Sequence, residues 1–145
     1  MRRSRHASGA VHLRALHLFA VLHRLKGEGA EGSALAQELV DRFSQDMETV
    51  LRELGVGDLR VPKAMRRLAA ASKGLFQDYE AALAAGEESL KHAIAASLPD
   101  ETESPEVSSG ALASYLLASI EALARQDIGS LRAGVLEFPE ASIEP

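Results

Sequence analysis

Apolar residues between Ala36 and Leu54 recur in steps of four and three: Ala36, Val40, Phe43, Met47, Val50 and Leu54. That spacing draws one stripe along a helix, and Leu35, Leu39 and Leu51 widen it enough to face a core. Glu38, Asp41, Arg42, Gln45, Glu48, Thr49 and Arg52 take the other side. Gly55 tolerates a left-handed C-terminal cap, and Gly57 and Asp58 continue the turn. The pattern predicts a helix over Ala34 to Leu54, with Ser33 as its N-cap and the Gly-rich stretch GEGAEGS, residues 27–33, as the preceding loop. An earlier helix is predicted from about Ala10 to Lys26. Val11, Ala15, Leu18, Leu22 and Leu25 make one stripe and Leu13, Leu16 and Ala20 a second, so this helix is expected to be central and covered on both sides.

Pro62 suits the first turn of a third helix running to about Ala84. Its apolar stripe is Met65, Leu68, Ser72, Leu75, Phe76, Tyr79 and Leu83; opposite lie Lys63, Arg66, Arg67, Ala70, Lys73, Gly74 and Gln77. A fourth helix is predicted over about Glu87 to Leu98, then an acidic linker with two prolines, PDETESPEV, residues 99–107. A fifth follows over about Ser109 to Gln126, with Leu112, Leu116, Ile120 and Leu123 on one face. Residues 129–145 read as a turn and extended tail in which Leu131, Leu136 and Phe138 can tuck against the bundle. Residues 1–9 read as a flexible basic start. The expected fold is all-α: a single compact bundle of about five helices in one domain, ending in a short extended tail.

Composition agrees with helices packed through small residues. The hydrophobic share is 46%, much of it alanine, while aromatics are 4%, poor material for a β-sandwich. No cysteine is present, which excludes disulfides, thiolate catalysis, iron–sulfur clusters and Cys-based zinc sites. No run approaches the roughly 18 to 20 apolar residues of a membrane span, the longest candidate being broken by His17, His23 and Arg24; the chain is expected to be soluble or peripheral. The Arg-rich, acid-free start MRRSRHASGAVHLR leaves two readings open, a short basic lead into the first helix or an organelle transit peptide. Twelve Arg against four Lys, with abundant Ala and no Asn, points to a GC-rich bacterial source.

Charge is more informative in its distribution than in its net value of −5. Residues 1–27 carry six bases and no acid, residues 28–58 eight acids against Arg42 and Arg52, and Arg60 to Lys73 five bases without an acid. From Glu87 onward eleven acids face Lys91, Arg125 and Arg132. Two basic segments in an acidic protein indicate either a localised contact surface for an anionic partner or solvated faces neutralised by neighbours. Gly74, inside the basic face of the third helix, costs about 1 kcal/mol relative to alanine, which favours a docking strip approached closely by another chain. His17 and Arg24 share a helical face with Leu13 and Ala20, so they must find partners, either at neighbouring helix ends or in a bound molecule.

Catalytic chemistry is scarce. His12, His17 and His23 do not share one face as a zinc pair would, Asp41 and Asp46 diverge around their helix, and the Gly-rich loop lacks the Lys-Ser/Thr ending of a P-loop. A binding or assembly protein is the remaining class. RNA binding through the basic strip is weakened by the scarcity of aromatics, because Phe76 and Tyr79 are expected to face the core.

The segments LHLFAVLHRLKGEG (16–29), ALAQELVDRFSQDMETVLRELGVGDLRVPKAMRRLAAA (34–71), KGLFQDYEAAL (73–83) and LRAGVLEFP (131–139) resemble the ubiquinol–cytochrome c chaperone family. The most specific part is the run from Asp46-Met47 through Leu51 to Asp58; Leu16-His17, Arg24-Leu25, Lys63, Arg66, Arg67, Gly74 and Tyr79 also match. Family members usually have an aromatic residue before that glycine and an Arg after it, where this chain has Lys73 and Leu75. They also usually carry a further N-terminal segment, so the start here is either naturally short or misplaced. The resemblance implies a non-catalytic, all-helical assembly factor for the cytochrome bc1 complex, without a cofactor or metal, that binds newly made cytochrome b or another bc1 subunit. It also implies a small partner protein and contact with an anionic membrane surface or the ribosome, but no DNA. The implied location is the bacterial cytoplasm at the inner membrane, or alternatively the matrix side of the mitochondrial inner membrane. The candidate partner-binding residues are Lys63, Arg66, Arg67, Lys73 and Gly74, with His17 and Arg24 bracing the site or touching the client. The alternative function is a general membrane-associated helical adaptor or ribosome-contacting protein with no bc1 role.

Overall fold

In the computed structural model the described residues form six helices: α1 Arg2–Leu25, α2 Gly29–Glu53, α3 Val61–Ala85, α4 Glu87–Ser97, α5 Pro105–Ala124 and the short α6 Ile128–Arg132. The structure describes the backbone of residues 2–98 and 104–139, and the side chains of residues 13–98, 104 and 107–139. Expectations for Val11 and His12, for linker residues 99–103 and for tail residues 140–145 lie outside the described residues. The fold is the expected all-α bundle, with no strand among the described residues. α1 packs on α2 and α5, α2 on α3, α3 on α4 and α4 on α5, so the neighbour order closes into a ring.

The core lies inside that ring. Leu16, Phe19, Ala20 and Leu25 of α1 meet Tyr79 of α3, Leu90 and Ile94 of α4, and Ala113, Leu116 and Leu123 of α5. Phe19 is its aromatic centre: its ring makes an edge contact with Tyr79 at 5.4 Å between centroids and a tilted one with Phe76 at 5.7 Å, arrangements that ring quadrupoles favour. The Tyr79 hydroxyl meets Ser97 Oγ at 2.7 Å, so its buried oxygen is satisfied.

Several boundaries differ from expectation. α1 begins at Arg2 rather than Ala10, so the expected flexible start is helical from Arg2; it holds no proline, and the helix runs on through Gly9. α2 begins at Gly29, so residues 29–33 are helix and Ser33 is not its N-cap; Glu28 holds that position and makes no side-chain cap bond. Gly29 turns the chain at φ 64, whereas Gly32 is buried because a Cβ there would collide with the Leu25 carbonyl and the Glu28 side chain. These glycines serve a tight α1–α2 corner, not a loose loop. α5 begins at Pro105, inside the expected 99–107 linker, because proline is pre-set for a first helical turn. The tail holds a further helical turn, α6, capped by the Asp127 carboxylate accepting from the Gly129 amide at 3.2 Å. Leu131 and Phe138 tuck against the core as expected, but Leu136 stays exposed.

The Gly55 stop stands as predicted. Gly55 sits at φ 90, its amide bonds to the Arg52 carbonyl at 3.1 Å, and the Val56 amide reaches the Leu51 carbonyl at 3.1 Å, the paired bonds of a Schellman cap. The expectation that no segment is apolar enough to span a membrane needs correction. Val107–Ala124 of α5 reaches the length, with a mean hydropathy of 1.4, because Glu121 is its one charged residue. It qualifies by length and composition only, and here it packs on α1 and α4.

Candidate functional site: an apolar groove beside a basic helix face

α2 carries a wider apolar stripe than the bundle covers. Leu35, Ala36 and Leu39 lean on the core, while Ala36 together with Val40, Phe43 and the buried Met47 also lines a groove of about 620 Å³ shared with α1 and α3. Leu18 and Leu22 line it from α1, and Met65, Leu68 and Phe76 from α3. α1 is therefore covered by α5 on one side and borders open space on the other, and α2 faces this groove more than the core. Polar groups close one end: His23 Nδ1 lies 2.8 Å from Glu80 Oε1, and Lys26 Nζ lies 3.6 Å from the same oxygen.

One flank of the groove is basic. In α3, Lys73 and Gln77 line the groove, and the face continues outward through Lys63, Arg66 and Arg67, all exposed. Arg24, Lys26, Arg42, Arg52, Lys91, Arg125 and Arg132 each pair with a carboxylate. Among the described residues, Arg60, Lys63, Arg66, Arg67 and Lys73 pair with none, and Arg14 alone shares that state; five of the six free cations thus sit between positions 60 and 73. The charges remain available, since no carboxylate among the described residues neutralises them locally. Gly74 is half-buried within this face, and a Cβ built on it would meet nothing within 4 Å. Packing inside the chain does not require the glycine.

His17 and Arg24 lie away from the groove, on the side of α1 that meets α5. His17 Nε2 is 2.6 Å from the Tyr115 hydroxyl, and its ring rests on Phe138 with centroids 4.6 Å apart. Burial lowers its pKa and so favours the neutral ring, which shares this hydrogen bond with the tyrosine hydroxyl. Arg24 donates from Nε to the Leu123 carbonyl and from a terminal nitrogen to the Gln126 carbonyl, both at 3.0 Å, and pairs with Glu28. It donates to carbonyls at and just beyond the C-terminal end of α5, where the regular helical hydrogen bonds run out. The structure thus separates the expected site residues into two groups: Lys63, Arg66, Arg67, Lys73 and Gly74 on one face of α3, and His17 and Arg24 at the α1–α5 seam. Of the residues lining the groove, the sequence named Lys73 alone as a site residue; the apolar lining was not named, and the signal for it was the excess width of the α2 stripe.

The family model described as ubiquinol-cytochrome C chaperone matches residues 5–138. The chain belongs to the ubiquinol–cytochrome c chaperone family. Among solved structures it is similar to the crystal structure of the Cbp3 homolog from Brucella abortus, at 36% identity and a TM-score of 0.76, covering 88% of this chain and 70% of that one. No curated protein matches the chain. Membership gives the chain its general role, a chaperone in assembly of the ubiquinol–cytochrome c reductase (bc1) complex, with a subunit of that complex as the kind of client implied.

Proposed function

We propose that this family member acts without catalysis, receiving an apolar segment of newly made cytochrome b in the α1–α2–α3 groove while the basic face of α3 engages a partner chain or an anionic surface. The observation that carries the reading is the apolar groove: Val40 of the α2 stripe is exposed and Phe43 and Met65 are half-buried around a space of about 620 Å³, with the buried Met47 in its lining. Such a trough suits the apolar face of one helix, which presents side chains at i, i+3, i+4 and i+7. A transmembrane segment waiting for its partners needs that kind of temporary cover. Membrane association follows from the client, at the inner face of the membrane that houses the bc1 complex. Lys63, Arg66, Arg67 and Lys73 are assigned to the contact surface and Gly74 to close approach; His17 and Arg24 are assigned to bracing α1 against α5.

A photo-crosslinking residue at Phe43 tests the reading in cells that make the bc1 complex. Cross-links to cytochrome b are expected, and substituting Lys63, Arg66 and Arg67 by Glu is expected to abolish bc1 maturation with helix content unchanged. Cross-links confined to other membrane or ribosomal proteins, with cytochrome b levels untouched by the charge reversal, would replace the client reading by a general adaptor.

A further inference from the structure

The turn joining α2 to α3 exposes two large apolar side chains: Leu59 is 98% exposed and Leu54 68%. Single exposed leucines need no explanation. These two share one tip, and the tip is built to hold its shape. The Schellman bonds of Gly55 and Val56 fix its first half. The Arg60 amide donates to the Gly57 carbonyl at 2.8 Å and fixes the second, while Arg52 draws the Asp58 carboxylate back onto α2 at 2.6 Å. Leu59 is thus held outward by an ordered turn.

Beside the tip stand Arg60, Lys63, Arg66 and Arg67, within the first two turns of α3 and without a carboxylate partner among the described residues. Glu53, exposed on the last turn of α2, is the one nearby acid not drawn into a pair. From these observations we infer that the α2–α3 turn is a membrane-docking wedge, with Leu54 and Leu59 entering the acyl boundary of an anionic bilayer while the α3 cations meet lipid phosphates. A dissolved polyanion such as RNA would use the cations but leave both leucines in water, and the tip offers no aromatic ring on which a base could stack. A bilayer satisfies both kinds of group at once.

The position of the wedge also matters for the groove. Its tip-ward end is marked by Met47 and Met65, and Met47 precedes Leu54 by seven residues of helix, about 10 Å of rise. Docking the tip sets the mouth of the groove at the height of the headgroups, where a client segment enters or leaves the bilayer. That alignment rests on the client reading given above; the lipid contact stands on the geometry of the tip alone.

Flotation of the full chain with vesicles tests the inference. Binding is expected to phosphatidylcholine vesicles that contain phosphatidylglycerol and not to phosphatidylcholine alone, weakening about fivefold for each α3 cation replaced by Gln. The double variant Leu54→Ser, Leu59→Ser removes exposed side chains only and should keep its helix content and melting temperature while binding vesicles at least about tenfold more weakly. Because the chain has no cysteine, Leu59→Cys carries a single environment-sensitive fluorophore, whose emission should shift to the blue on vesicles. Equal binding to neutral vesicles, no binding at all, serine variants that bind like the parent, or a fluorophore that stays aqueous on bound protein would each overturn the wedge, as would binding of RNA in place of vesicles. The Phe43 cross-link, measured in detergent on the serine variant, reports on the client reading separately.

Discussion

Replacing Arg24 by alanine should destabilise the bundle by about 3 kcal/mol, from two charge-assisted bonds at the lower end of the usual range. Arg24 spans helices that lie far apart in sequence, donating to the Leu123 and Gln126 carbonyls at 3.0 Å each. The lower end applies because the Leu123 carbonyl keeps a second donor, the Gln126 amide at 3.1 Å. The pair with Glu28 is partly buried, with side chains 16% and 31% exposed, and its loss adds to this figure. For a chain of this length each kcal/mol moves the melting temperature by about 2–4 °C, so a fall of about 10 °C is expected. Arg24→Lys keeps the charge near the end of α5 but cannot fork across two carbonyls, and should lose about half as much. Urea unfolding and calorimetry of the purified variants read the change. Hydrogen exchange should accelerate over residues 123–137, because Gln126 also clamps the tail, donating to the Glu137 carbonyl at 2.7 Å and accepting from its amide at 3.1 Å. An alanine variant within about 0.5 kcal/mol of the parent, or a lysine variant equal to it, would refute this account of the seam.

Gly74→Ala should raise stability by about 1 kcal/mol, since its methyl group meets open space and alanine is the better helix former; a more stable chain that no longer supports bc1 maturation would show that a partner, and not the fold, requires the glycine. Gly32→Ala should do the opposite, lowering the melting temperature, because its Cβ would strike the Leu25 carbonyl and the Glu28 side chain at the α1–α2 corner; an unchanged melting temperature would mean that the corner can open at no cost. Burial holds the His17 pKa below its ordinary 6.5, so the unfolded chain takes up a proton that the folded one refuses. Its contribution is complete above pH 6.5 and is lost as pH falls from there toward the depressed folded pKa, with a slope of at most about 1.4 kcal/mol per pH unit. Facing His17 are the Tyr115 hydroxyl and the Phe138 ring, so the difference between the unfolding profiles of the parent and His17→Gln isolates this slope; parallel profiles would remove His17 as its source.

Much of the helical framework was legible because the signals that place helices are local. The Gly55 stop, the Pro62 start and the stripe of α3 each lie within a few turns of the residues they organise. The N-terminal end of α2 was not legible, because Gly32 reads as a loop residue until the Leu25 carbonyl is seen beside it. α6 was missed because Asp127, Gly129 and Gly134 also spell a plain turn, and the buried Leu131 side chain is what makes five residues worth coiling. The basic face could be listed in advance, but its freedom from ion pairs could not, since any acidic helix might have packed across it.

By itself the sequence determined that the chain is helical, where its cations concentrate and where Gly55 stops α2, since backbone propensity and periodicity act over one or two turns. Tertiary structure alone decided which stripes are covered. Val40 and Phe43 show the same periodicity as the core residues Leu16 and Leu116, yet Val40 is exposed and Phe43 only half-buried, and both border a groove. The same holds for Arg24, whose partners lie about a hundred positions away. Periodicity shows that a side chain needs an apolar or polar neighbour; the closing of the helix ring determines which neighbour it meets.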